Sequence, residues 1–166
     1  MYSTVEHVRF LSTAYTSKAY LTASAENNII VTSSPPRQHP HDHPEVWILK
    51  PILFPIAWVG SYRIFNMSHP QHAIKASDCS RMGINITLAP YNEETDSRNP
   101  EFVWKLQTIA DSRMLVRPIV AWNLNWSVPG NGKYPDPARV ILWEHLGGFG
   151  NETWVIEHTT PKVICS

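Results

Sequence analysis

Val140-Ile-Leu-Trp-Glu-His-Leu-Gly-Gly-Phe-Gly-Asn-Glu-Thr-Trp154 reads as an apolar strand ending near Trp143, a glycine-rich turn, and a second strand entered at Trp154. Degraded copies of its ending recur upstream as Glu45-Val-Trp-Ile-Leu-Lys50 and Phe102-Val-Trp-Lys-Leu-Gln107. A tryptophan-bearing strand that returns at intervals of roughly fifty residues predicts an internally three-fold fold. Side chains kept in all three blocks read as shared scaffold, so Trp47, Trp104 and Trp154 are assigned to a common core.

Working outward from the tryptophans, each block opens on a short strand of alternating residues: Val8-Arg-Phe-Leu11, Tyr62-Arg-Ile-Phe65 and Met114-Leu-Val116. Second strands follow at Tyr20-Leu-Thr-Ala23, His72-Ala-Ile-Lys-Ala76 and Asn123-Leu-Asn-Trp126, and third strands at Asn28-Ile-Ile-Val31, Ile84-Asn-Ile-Thr-Leu88 and Arg139-Val-Ile-Leu-Trp143. The tryptophan strand is the fourth. Three blocks of four strands predict an all-β protein with a β-trefoil fold, one domain over residues 1–166 with repeats near 6–55, 60–110 and 111–160. No stretch sustains helical periodicity, and no helix is expected. The segments 32–44, 91–100 and 128–137 are rich in Pro, Asp, Asn, Ser and Gly and read as loops on a rigid scaffold, where binding surfaces tend to lie.

Composition narrows the function. The 166 residues carry 43% hydrophobic but only 17% charged side chains, with seven Trp, six Tyr and fourteen Pro, a mixture unlike a helical bundle. Lys plus Arg equals Asp plus Glu at 14 each, so no basic excess exists to neutralise phosphates, and nucleic acid is not expected as a partner. The most apolar stretch, Val46 to Val59, is broken by Lys50, Pro51 and Pro55, and no membrane span is expected. The start, Met1-Tyr-Ser-Thr-Val-Glu, has neither a basic leader nor an apolar run, which points to the cytoplasm. Cys79 and Cys165 are too few for a disulfide framework; free thiols are expected, the alternative being a staple from Cys165 to the second block.

The order Val140-Ile-Leu-Trp143, Gly147-Gly148, Asn151-Glu-Thr-Trp154 resembles the repeat of ricin-B-type lectins, carbohydrate-binding β-trefoils that include small fungal lectins. The resemblance in pattern spans nearly the whole chain, with the third block the close match. It implies a sugar site built from an acidic side chain on the second strand, an aromatic platform on the third, and an Asn or His near the last turn. Such a site suits a pyranose, whose apolar C–H face stacks on a ring while its hydroxyls need paired donors and acceptors. By this resemblance the site residues are Asn125 in the place of the acid, Trp143 as platform and Asn151 as amide, with His145 and Phe149 supplementing them from the glycine-rich turn. Asn125 for Asp and Glu152 for the family's Gln are departures, and an amide accepts weaker bonds than a carboxylate. In the first block Thr22 takes the acidic position and the third strand lacks a ring; in the second Lys75 takes it, Ala89 falls at the platform position, and Tyr91 offers a displaced second site.

Other constellations carry less. His39-Pro-His-Asp-His43 lies in a Pro-rich loop that does not preset ligand geometry, and no metal or cofactor is expected. Four sequons begin at Asn66, Asn85, Asn125 and Asn151, two of them at the proposed site, which fits incidental sequons in a cytosolic chain. No nucleophile elbow, paired carboxylates or phosphate loop stands out, so no enzyme is expected. The resemblance implies a glycan partner, a defence or toxin role, and a homodimer that would multiply one weak site by avidity. The alternative function is a β-trefoil inhibitor of cysteine or serine proteases, presenting Arg37 from the Ser33 to Pro44 loop or Lys133 from the Gly130 to Pro137 loop.

Overall fold

In the computed structural model, which describes residues 4–37, 39, 42–53, 55–130, 133–147 and 150–159, thirteen strands form. In the first block these are β1 (Glu6–Ser12), β2 (Tyr20–Ala23), β3 (Ile29–Thr32) and β4 (Trp47–Pro51). The second block has β5 (Ser61–Asn66), β6 (His72–Lys75), β7 (Thr87–Pro90) and β8 (Trp104–Ala110). The third has β9 (Arg113–Pro118), β10 (Leu124–Ser127), β11 (Ala138–Arg139), β12 (Ile141–Glu144) and β13 (Trp154–His158).

The first and last strands of the blocks close a ring. Strand β1 pairs with β4, β4 with β5, β5 with β8, β8 with β9, β9 with β13, and β13 returns to β1, every pair antiparallel. A closed six-stranded barrel of this kind leaves no free edge to recruit another chain. The inner strands form three hairpins, β2 with β3, β6 with β7 and β10 with β12, at one end of the barrel. The hairpins also join one another, through Val31↔Ala138, Asn28↔Thr87 and Asn85↔Ile141. A six-stranded barrel capped by three linked hairpins is a β-trefoil.

The same hydrogen bond fastens cap to barrel in every block. The buried indoles of Trp47, Trp104 and Trp154 donate to the carbonyls of Leu21 (2.9 Å), Ile74 (2.9 Å) and Trp126 (3.3 Å), each on its block's second strand. Satisfying the indole N–H lets a large apolar ring occupy the core without stranding a donor. The third block places a fourth indole there. Trp126 is fully buried edge-on to Phe10, Trp104 and Trp154, at 5.5, 5.2 and 6.0 Å between centroids, and its own N–H meets no acceptor among the described residues.

The strands differ from the sequence expectation where three partners compete for one segment. The third strand of the third block divides at Val140: β11 pairs with β3 and β12 with β10. Val140 itself donates to Ile29 of the first block and accepts from Ile86 of the second. Residues expected to start the third strand of the second block are likewise drawn to the third block, Leu142 donating to Ile84 at 2.8 Å, so that β7 begins only at Thr87. The expectation of no helix is corrected by a single turn, α1 (Glu93–Asp96). Asn92 caps it by accepting from the Glu94 N–H, and three acids favour the positive end of the turn. No helix among the described residues is long and apolar enough to cross a membrane.

Candidate functional site

The third block gathers its polar residues on the β10–β12 hairpin. Asn125 lies directly opposite Trp143 in the register, and directly opposed residues share one face of a hairpin. Trp143 is 38% exposed while Asn125 is fully buried beneath it. A Cβ at Gly83 would stand 3.8 Å from the Trp143 ring, so the second block flanks the platform. His145 follows β12, held by its N–H to the Asn123 carbonyl at 3.1 Å.

The chain then re-enters through a 3-10 turn, Gly150–Glu152, that carries the last polar groups. Glu152 is buried, and its carboxylate accepts from the Leu146 N–H (3.1 Å) and from the Asn125 amide (3.4 Å). His145 Nδ1 lies 3.4 Å from its other oxygen. Asn151 turns instead to Ser127, donating to its hydroxyl at 3.3 Å, while its carbonyl takes the Val128 N–H. The structure therefore brings Asn125, Trp143 and His145 together around Glu152, with Asn151 one step aside on Ser127. Phe149 lies outside the described residues.

Glu152 is the residue that sequence reasoning left out. Its signal was present as a departure: acid and amide had both changed relative to the lectin repeat, at Asn125 and Glu152. The hydrogen bond between them explains the pair of changes. The acid and the amide have exchanged carriers, so the site keeps one buried acid and one amide hydrogen-bonded to it.

The shared indole bond also corrects the comparison of blocks. Asn125 precedes Trp126, whose carbonyl takes the bond, so its counterparts precede Leu21 and Ile74: they are Tyr20 and Ala73, not Thr22 and Lys75. Lys75 instead pairs with Glu101 at 3.0 Å, and the Thr22 hydroxyl bonds its own strand at Tyr20. A slip of two residues keeps every side chain on the same face, which is why alternation alone did not expose it.

With that register the three counterparts separate cleanly. In the first block Tyr20 opposes Thr32, and Glu45 stands in the place of Glu152. Buried Glu45 is taken up by Arg37 (3.0 Å) and Arg9 (3.6 Å), with His43 Nδ1 at 3.8 Å. In the second block Ala73 opposes Ala89 and Phe102 replaces the acid. There Phe65, Ala73 and Phe102 form a small apolar core, and Tyr91 packs edge-on against both phenyl rings at 5.2 Å. Burial pushes the Tyr91 phenol up to about 12, and its ring is committed to packing. Ion pairing fills the first copy, aromatic packing the second, and the third alone keeps an exposed ring over a polar floor.

No protein-family model and no curated relative matches the sequence. Solved structures do. The designed three-fold symmetric protein ThreeFoil superposes with a TM-score of 0.69 at 18% identity, covering 90% of this chain and 96% of that one. The Macrolepiota procera ricin B-like lectin, solved with lactose, gives 0.68 at 15% identity over 96% of this chain and 99% of that one. The chain has the β-trefoil fold of the ricin B-like lectins. The C-half of the earthworm R-type lectin, solved with GalNAc, is similar at 0.59 and 16% identity, over 93% of this chain and 99% of that one.

The remaining candidates are placed as follows. Arg37, half exposed, is tied to buried Glu45 rather than held free at a loop tip. Near Lys133, the Tyr15 hydroxyl donates to the Pro135 carbonyl and the Tyr15 and Tyr134 rings meet at 5.8 Å. Asp42 accepts from the His39 N–H, and no cluster of three metal-ligating side chains forms among the described residues; His41 lies outside them. Burial raises the Cys79 thiol, and Cys165 lies outside the described residues. Asn66 and Asn125 are fully buried, which bars their sequons from carrying glycans in the folded chain.

Proposed function

We propose that this protein binds carbohydrate through its third repeat, with Trp143 as the stacking platform and His145 and the Asn125–Glu152 pair as its polar edge. One observation carries the reading: of three equivalent positions, the third leaves an indole 38% exposed above a hydrogen-bonded carboxylate and amide, while the other two are filled from within. An exposed ring beside fixed polar groups is what a pyranose demands. The lactose and GalNAc seen with two proteins of the same fold support the ligand class. The buried Asn125 Oδ1 meets no donor among the described residues, so a sugar hydroxyl or a bridging water is the partner its chemistry calls for.

The interaction is binding without turnover. Glu152, the acid bonded to Asn125, is buried and fastened to the backbone rather than paired across a cleft with a second acid, the arrangement glycoside hydrolysis needs. Recognition of non-self glycans in defence is the role we propose for that binding, on the resemblance to small fungal lectins. A glycan array with the wild-type chain, repeated with Trp143→Ala and His145→Ala, tests the site. Wild-type signal on a defined sugar family that Trp143→Ala abolishes supports it, and an unchanged profile in both variants removes the assignment.

A further inference from the structure

The open end of the barrel, opposite the hairpin cap, carries an apolar projection that glycan binding does not explain. The loop joining β4 to β5 runs Ile52-Leu-Phe-Pro-Ile-Ala-Trp-Val59 without a charged side chain. Ile56 is 81% exposed, Leu53 64% and Val59 52%, while Trp58 is half-buried at its base. Three large aliphatic side chains held out by one short loop depart from the scattered single exposures of an ordinary surface. The apolar character continues into the barrel mouth, a cavity of about 250 Å³ that Leu49, Gly60, Leu106, Met114 and Ile156 help to line.

Cations stand at the base of this loop. Lys105 is exposed opposite Ser61, the first residue of β5, whereas Lys50, in β4 before the loop, holds its ammonium 4.1 Å from the centre of the Phe65 ring. Gly60 adopts a φ of +83°, and a Cβ there would stand 3.5 Å from the Lys105 ammonium, which places that charge at the foot of the loop. Arg117 lies opposite Lys105 in the register and so shares its face of the barrel. Arg63, opposite Lys50, is spent on the Ser97 carbonyl. Of the acids at this end, Glu6 has His158 at 3.4 Å and exposed Asp111, in the turn from β8 to β9, has Arg113 at 3.9 Å.

We propose that this end of the barrel docks on anionic lipid membranes, Leu53, Ile56 and Val59 entering the headgroup boundary and Lys105 and Arg117 meeting lipid phosphates and carboxylates. Aliphatic tips, an indole at the boundary and basic side chains behind it are the order in which a membrane interface presents its own layers. Attraction of basic side chains to an anionic leaflet adds to the apolar term and makes binding depend on lipid charge and on salt. A glycan is not required, and the site on the third repeat stays turned toward solution.

The test uses the full chain and glycan-free vesicles of phosphatidylcholine, with or without about one-third phosphatidylserine. Sedimentation is expected to show the wild type bound to the anionic vesicles at least about tenfold more than to the neutral ones, and released by salt. Leu53→Asp with Ile56→Asp is expected to abolish binding, and Lys105→Glu with Arg117→Glu to reduce it about tenfold, both keeping the wild-type near-ultraviolet dichroism. Wild type that stays in the supernatant, or aspartate variants that bind as wild type does, would overturn the proposal. So would a wild-type mass of two chains that the aspartate pair reduces to one, which assigns the loop to a second copy instead.

Discussion

Two residues carry tests that the repeat itself supplies. Trp47 and Trp104 spend their indole N–H on Leu21 and Ile74, whereas the N–H of equally buried Trp126 meets no acceptor among the described residues. Replacing each by Phe removes a similar volume, but only the first two lose a hydrogen bond. Trp47→Phe and Trp104→Phe should therefore cost about 1 kcal/mol more than Trp126→Phe. Thermal unfolding would register that as a further fall of about 2–4 °C, and equal falls would contradict it. The exchanged pair offers a sharper case. Asn125→Asp alone sets two carboxylates face to face in a buried site, and Glu152→Gln alone weakens the acceptor of two N–H groups. Combined, they restore one acid and one amide. The double variant should be more stable than the sum of the two single effects by about 2 kcal/mol. Strict additivity in denaturant titrations would mean that the two side chains do not communicate.

At the scale of elements, the loops between blocks are held by specific bonds, and one of them titrates. Asp136, before β11, accepts from the backbone N–H and the hydroxyl of Ser33, after β3. The bond from the Ser33 hydroxyl, followed by one from Thr32, holds the Asp136 carboxyl below its ordinary value. A carboxyl depressed in the folded state stabilises above its unfolded pKa, and that contribution is lost as pH falls through the folded one. Asp136→Asn should therefore flatten the acid limb of the stability profile below the ordinary carboxylate range, by a small amount because the group is mostly in solvent. Parallel limbs for variant and wild type would refute the tie. The same scale shows what the sequence could and could not disclose. Tyr20–Ala23 was legible residue for residue because its alternation and flanking turn residues agree. Val140 was not, since a strand that changes partners midway keeps one uniform apolar pattern. The turn α1 escaped because four residues cannot display helical periodicity, although Asn92 ahead of three acids was its cap signal.

Across the whole molecule, three-fold repetition explains the scaffold and its failure explains the site. The tryptophan strands were legible because each block repeats them, and Trp143 stood out because it does not recur. Glu152 was visible only as a mismatch until the structure joined it to Asn125, a contact across 27 positions that no local pattern encodes. The two ends of the barrel differ in character: a polar, ring-bearing hairpin at the cap and an apolar loop at the open mouth. The central claim, one glycan site in the third repeat, is tested most directly by calorimetric titration with the strongest array ligand. Wild type is compared with Trp143→Ala and with Thr32→Ala at the first block's counterpart. The account predicts one sugar per chain, a loss of about tenfold or more for Trp143→Ala, and wild-type affinity for Thr32→Ala. Full affinity in Trp143→Ala, or a loss confined to Thr32→Ala, would contradict it.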